Sequence, residues 1–365
     1  MSDPSIPAIE RAVAAVPLVP AGVELGAAHV PVETSVTASG VQVRVTLGFP
    51  AAGIKIALEQ QIGQAVRGET GAADVAVTVD WRIVPHAVQG NLSPLPGVKN
   101  VIAIASGKGG VGKSTTAANL ALALAREGAA VGILDADVYG PSQPLMLGLV
   151  GGQPESLDGK NFEPLTAHGV QAISIGFLVG EETPVIWRGP MVTQAIVQLA
   201  LQTNWHHLDY LIVDLPPGTG DAQLTLSQKV PLAGVVIVTT PQDMATQVAR
   251  RGLAMFEKVG VPVIGVVENM SGFICSACGQ EEALFGTAGG ERLAAACGTA
   301  FLGKVPLNAG IRAQTDAGRP PLVADPDGAV AGRYREIARR MAALLALRPR
   351  DQRHKFGRIV VEDRK

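Results

Sequence analysis

The sequence predicts a doubly wound α/β domain with a mostly parallel sheet, preceded by a small α+β domain. Three observations carry this. Apolar residues alternate strictly in two short runs before residue 90. Residues 91–97, Asn-Leu-Ser-Pro-Leu-Pro-Gly, break that pattern in the manner of a linker. Beyond them, near-continuous Val- and Ile-rich runs alternate with helical segments, as in a parallel sheet buried on both faces.

The elements follow in order. Residues 6–16 read as a short helix. Val41, Val43, Val45 and Leu47 share one face of a strand, and Val75, Val77 and Val79 share one face of another. Between them residues 51–66 read as a helix with Ile54, Ile56, Leu58 and Ile62 as apolar positions. After the linker, strands are expected at 101–105, 130–134, 170–175, 210–213, 235–238 and 263–267. Helices are expected at 115–127, 191–202, 222–229, 245–259 and 329–347. The predicted organisation is a small domain over 1–90, a linker over 91–97, the α/β domain over 98–350, and a tail over 351–365. A ligand of such a sheet sits at the carboxyl ends of the strands.

Composition removes several function classes. Apolar residues are 47 % of 365, enough for a large core and unlike a disordered chain. A net charge of −2 points to neither nucleic acid nor an anionic membrane as a partner. Asp3 and Glu10 interrupt the first thirty residues, so no signal peptide is read there. No stretch reaches the roughly 18 apolar residues of a spanning helix. A cytoplasmic protein is expected. Three cysteines do not make a disulfide framework. Cys297 lies in an Ala-rich helical stretch and reads as a small buried hydrophobe.

The most specific motif is Gly107-Lys108-Gly109-Gly110-Val111-Gly112-Lys113-Ser114-Thr115, between a predicted strand and a predicted helix. It fits G-x-x-x-x-G-K-[ST], the P-loop. Its glycines let successive N–H groups point inward as an anion nest at a helix N-terminus. Lys113 brings a point charge to the outer phosphates of ATP, and the Ser114 hydroxyl ligates Mg²⁺. Asp214 ends an apolar strand, where a carboxylate holds Mg²⁺ through water. In the loop after it, Gly218 can offer its N–H to a γ-phosphate, and Asp221 closes the same switch segment. Asp135 and Asp137 end the second strand. Either can orient or deprotonate attacking water, with Asp137 the better placed and Asp135 open to a role as a turn residue.

The second lysine, Lys108, makes the motif resemble the deviant Walker loop of the MinD/ParA/nitrogenase-iron-protein class. The resemblance implies a dimer in which Lys108 reaches the partner subunit's nucleotide. It also implies that Asn269, which follows a strand, hydrogen-bonds adenine. An N-K-x-D guanine motif is absent.

Residues 269–279 contain Cys275 and Cys278 as C-x-x-C, and residues 284–286 read Leu-Phe-Gly. With the segments 137–142 and 214–221 they resemble the Mrp/ApbC family of iron–sulfur cluster carrier ATPases, over residues 98–345. That resemblance implies one labile [4Fe-4S] cluster held by the C-x-x-C of two subunits, a homodimer, and apo iron–sulfur proteins and cluster assembly factors as partners. A Cys₄ site needs four thiolates, and one chain offers two of them at this spacing. A shared Zn²⁺ would use the same ligands, and a redox dithiol or a simple turn remains open. The competing expectation is a positioning ATPase of the MinD/ParA type with a structural Zn site at the interface. A nitrogenase-type reductase would need wider cysteine spacing. The first 90 residues look like a degenerate MIP18-like domain, and lacking cysteine they read as a scaffold or docking unit.

Overall fold

The structure is a computed structural model that describes residues 5–37, 40–90, 92–178, 189–275, 278 and 280–351. The chain begins with α1 (Ile6–Ala14), the short pair β1 (Pro17–Leu18) and β2 (Val23–Glu24), then β3 (Val32–Thr37) and β4 (Gly40–Leu47). It continues through α2 (Lys55–Thr70) to β5 (Val75–Trp81). β4 pairs antiparallel with β3 and parallel with β5. Along β4 the expected alternation holds, with Val41, Val43, Val45 and Leu47 all buried. β3 was not expected, because its mostly exposed residues give no apolar face to read.

The larger unit runs β6 (Val98–Ser106), α3 (Lys113–Arg126), β7 (Val131–Asp135), α4 (Gln143–Met146), β8 (Leu165–Ala167) and β9 (Val170–Ser174). It continues with α5 (Gly189–Leu201), β10 (Leu208–Asp214), α6 (Asp221–Lys229), β11 (Gly234–Thr239), α7 (Asp243–Lys258) and β12 (Val263–Ile274). The remainder is β13 (Glu281–Glu282), α8 (Gly289–Ala296), β14 (Ala300–Leu307), α9 (Ala309–Asp316), α10 (Pro321–Ala324) and α11 (Ala329–Ala346). Among the described residues these form a nine-stranded sheet ordered β13-β12-β11-β6-β10-β7-β9-β8, with β14 also paired to β12. All pairings are parallel except β8–β9 and β12–β13.

Both faces of this sheet are covered. Along β6, Ile102 and Ile104 enter one core with Leu120 and Leu124 of α3 and Tyr334 and Met341 of α11. Val101, Ala103 and Ala105 enter the other, with Ile196, Leu253 and Phe256 from α5 and α7. Two-sided burial explains why these strands read as continuous apolar runs. The first core does not stop at the sheet. It extends without a break to Ile9, Val13, Val43, Val45 and Ile62 of the N-terminal unit. There the Ala52 N–H donates to Glu127 O at 3.1 Å, and the Gly53 N–H donates to Glu127 Oε2 at 2.8 Å.

Candidate functional site

Because β6, β10 and β7 lie side by side and parallel, their carboxyl ends bring Ser106, Asp214 and Asp135 to one rim. The loop after β6 rises from that rim and enters α3 at Lys113. Two glycines there are required by space. A Cβ at Gly107 would meet the backbone of Val248 and Ala249 at 2.6 Å. A Cβ at Gly112, whose φ is 80°, would overlap the Asn269 amide.

Lys113 is only 5 % exposed. Its Nζ donates to Asp214 Oδ1 and, at 3.1 Å, to Ser114 Oγ, and it lies 3.8 Å from Asp137 Oδ2. The phosphate-loop lysine, the hydroxyl and the strand-end carboxylate expected to hold Mg²⁺ are therefore together. Hard oxygen donors of this kind suit Mg²⁺. Beside them Ser142 Oγ and Gln143 Oε1 are buried with no partner among the described residues, leaving polar atoms free for a hydrated ion. Gln143 was not expected at all. Its Nε2 donates to Asp214 Oδ2 at 2.9 Å and to Ser114 O at 3.1 Å.

The two aspartates left open by the sequence part here. Asp135 is fully buried, and its Oδ2 accepts from the N–H groups of Ser142 and Gln143 and from Ser174 Oγ at 2.9–3.1 Å. Its Oδ1 accepts from the Asp137 N–H at 3.2 Å. Burial, and then the Asp214 charge, push its carboxyl up to about 7. It clamps the loop that carries Asp137. Asp137 itself is half-buried and faces Lys113. Burial raises its carboxyl above the usual range while Lys113 pulls it back.

The remaining expected residues are placed as follows. Lys108 Nζ donates to Gln242 Oε1 at 3.2 Å. The Gly218 N–H donates to Ser106 O at 3.0 Å, a bond that must open before it could meet a γ-phosphate. Asp221 opens α6, and its side chain lies outside the described part of the structure. Asn269 is 7 % exposed, and its Nδ2 donates to Val111 O at 2.9 Å, inside the phosphate loop. That contact ties the end of β12 to the loop, and no sequence pattern announced it. A separate cleft of about 680 Å³, lined by Pro85, Pro94, Lys99 and His207, lies at the amino ends of β6 and β10 and holds none of these residues.

Cys275 directly follows β12, half-buried, and Cys278 is exposed. Ile274 and Phe273 pair antiparallel with Glu281 and Glu282, and the Cys275 N–H donates to Gln280 O at 2.9 Å. The two thiols thus sit on the loop of a β-hairpin. Ser276, Ala277 and Gly279 lie outside the described residues, as does the tail beyond Asp351. Cys297, expected to be buried, is half-buried and packs against the second core.

A ParA family model, that of the NUBPL iron-transfer P-loop NTPase, matches residues 97–342. The chain belongs to this family. Among its relatives, the iron–sulfur cluster carrier protein of Pseudomonas fragi is 56 % identical over 275 residues, which cover 75 % of this chain and 96 % of that protein. A solved nucleotide-binding protein from Archaeoglobus fulgidus, in complex with ADP and with cobalt found by PIXE, is 37 % identical with a TM-score of 0.56. It covers 64 % of this chain and 90 % of its own. The cell-division ATPase MinD of Pyrococcus furiosus, 20 % identical over 67 % of this chain and 99 % of its own, shares the fold with a TM-score of 0.51. Membership of the ParA/NUBPL family makes the chain a P-loop NTPase with the expected doubly wound sheet. Among the described residues no helix is long and apolar enough to cross a membrane.

Proposed function

We propose that this protein is an ATP-hydrolysing carrier that holds an iron–sulfur cluster, [4Fe-4S], between two subunits and delivers it to apoproteins. The observation that carries the reading is the C-x-x-C hairpin at the end of β12, in a chain closely similar to proteins named iron–sulfur cluster carriers. Two thiolates per chain fall two short of a Cys₄ set, and a second copy supplies them. Exposed apolar side chains beside the nucleotide loops, Tyr139 at 67 % and Met244 at 69 %, favour a homodimer through that face. The relatives' names favour this reading over a positioning ATPase of the MinD/ParA type.

In the proposed cycle the N–H groups of residues 107–115 and Lys113 hold the phosphates, and Ser114 and Asp214 hold Mg²⁺. Asp137 takes the proton of the attacking water as the γ-phosphoryl leaves ADP, and Lys108 of each subunit steadies charge on the other's nucleotide. Gly218 and Asp221 form the switch segment. Hydrolysis is coupled to loading or release of the cluster, with assembly factors as donors. We place the protein in the cytoplasm, with residues 1–90 as a docking domain.

Anaerobic reconstitution tests the reading. Iron, sulfide and absorption measurements should give about one [4Fe-4S] cluster per dimer by the four-ligand count. Zinc uptake without iron, or full iron content in a Cys275→Ser, Cys278→Ser double variant, would overturn it.

A further inference from the structure

The phosphate loop and the cysteine hairpin are joined by one strand. β12 is held on both sides where Gly265–Glu268 pair with β11 and β14. Pairing with β11 ends at Glu268, and the next residue, Asn269, donates its amide to Val111 O in the phosphate loop. Met270 then adopts φ 56°, and the register against β14 shifts between Asn269 and Phe273. A left-handed conformation is uncommon for a bulky side chain, so the strand bends at a strained residue next to this contact. Cys275 follows six residues after Asn269, a reach of at most about 20 Å.

The far end of the cysteine segment returns to the same place. Glu268 Oε2 accepts the Gly290 N–H at 2.7 Å, in the first turn of α8. Gly289 packs so closely on Pro241 that a Cβ there would overlap Pro241 O. Pro241 adjoins Gln242, the residue that holds Lys108. Both ends of the segment carrying Cys275 and Cys278 are therefore tied to loops that would surround a nucleotide.

We propose that Asn269 is a positioning residue that couples the nucleotide loop to the cysteine pair. A nucleotide that moves the Val111 carbonyl shifts Asn269, and the bend at Met270 passes that shift to the hairpin. The two thiols then differ in accessibility between nucleotide states. The proposal deepens the carrier reading, and rests on it only for what the thiols hold.

The test uses bare thiols in the full chain, with Cys297→Ala removing the third. Maleimide labelling rates of Cys275 and Cys278 are compared without nucleotide, with Mg-ADP and with a non-hydrolysable Mg-ATP analogue. Each nucleotide is used at a concentration that saturates the variant. The expected result is a change of about fivefold or more between states. In Asn269→Asp and Asn269→Ala, neither of which can donate to Val111 O, the rates become indifferent to nucleotide. A nucleotide dependence that survives Asn269→Asp would arise elsewhere, as in subunit pairing, and would overturn the proposal. Where the variants fold or bind too poorly, hydrogen exchange on the parent protein decides: unmoved amides over residues 270–275 on nucleotide binding would also overturn it. Loss of iron binding with the thiol response intact would sink the carrier reading alone.

Discussion

Lys108 Nζ donates to Gln242 Oε1 at 3.2 Å, within a single chain. A lysine proposed to serve the neighbouring subunit is thus docked at home by a neutral amide, a contact weak enough to exchange for phosphate oxygens. Lys108→Ala should cut phosphate release on the order of 100-fold, as loss of a charge-stabilising donor does. Mixing Lys108→Ala with Lys113→Ala subunits should restore part of the turnover, because each variant retains the lysine the other lacks. A mixture as inactive as its components would place Lys108 in its own active site.

Asp137 and Asp135 should respond differently to removal of charge. Asp137→Asn should lower turnover by about 100-fold or more, through loss of the base. Burial raises the Asp137 carboxyl, so turnover of the parent should rise with pH as that group ionises. The variant should lose this limb of the profile. A limb that survives in Asp137→Asn would assign the proton transfer to another group.

Asp135 makes a prediction about stability. Its carboxyl rises from 3.8 to about 7 in the folded protein, so the folded state holds the proton more tightly than the unfolded one. The stabilisation is complete below about 3.8 and is lost as pH climbs towards about 7. Denaturation midpoints of the protein in chelator should therefore fall between pH about 5 and about 7.5, and the fall should flatten in Asp135→Asn. An equal slope in both proteins would contradict the assignment.

The cysteines separate by position. Cys275→Ser or Cys278→Ser should each abolish retained iron after desalting, while Cys297→Ala keeps it. The last change swaps one small group for another at the edge of a core and should cost less than about 1.5 kcal/mol. Iron lost equally in all three variants would point to a folding defect.

Glu127 is 1 % exposed, accepts the Gly53 N–H and lies 3.9 Å from Arg339. Glu127→Ala leaves the Gly53 N–H and the mostly buried guanidinium without their carboxylate. About 3 kcal/mol of stability should go, measured by denaturant unfolding. A loss under about 1 kcal/mol would mean water replaces the carboxylate at both groups.

The sequence carried the sheet where strands were uniformly apolar: β6, β7, β9, β10, β11 and the first half of β12 fall where expected. It hid β14, where Gly303, Lys304 and Pro306 interrupt any apolar run, because β14 is specified by pairing along β12. Local motifs announced the phosphate loop, Asp214 and the cysteine pair. Contacts between distant segments stayed silent. Nothing near Gln143 says that it reaches Asp214, and nothing near Asn269 says that it reaches Val111, since each depends on how parallel strands align their ends. The same alignment gives Asp135 and Asp137 different surroundings, the one bonded into its own loop and the other facing Lys113.

The single core running from the three-stranded sheet through α11 has a practical meaning. Trp81 lies on Gly128, and Gly48 backs onto Ala346 at the end of the last helix. A fragment beginning at residue 98 would bare this seam, presenting apolar side chains to water and leaving Glu127 without the Gly53 N–H. Such a piece should clump on expression, and heat should melt the intact chain in one step, with no early loss of its first ninety residues.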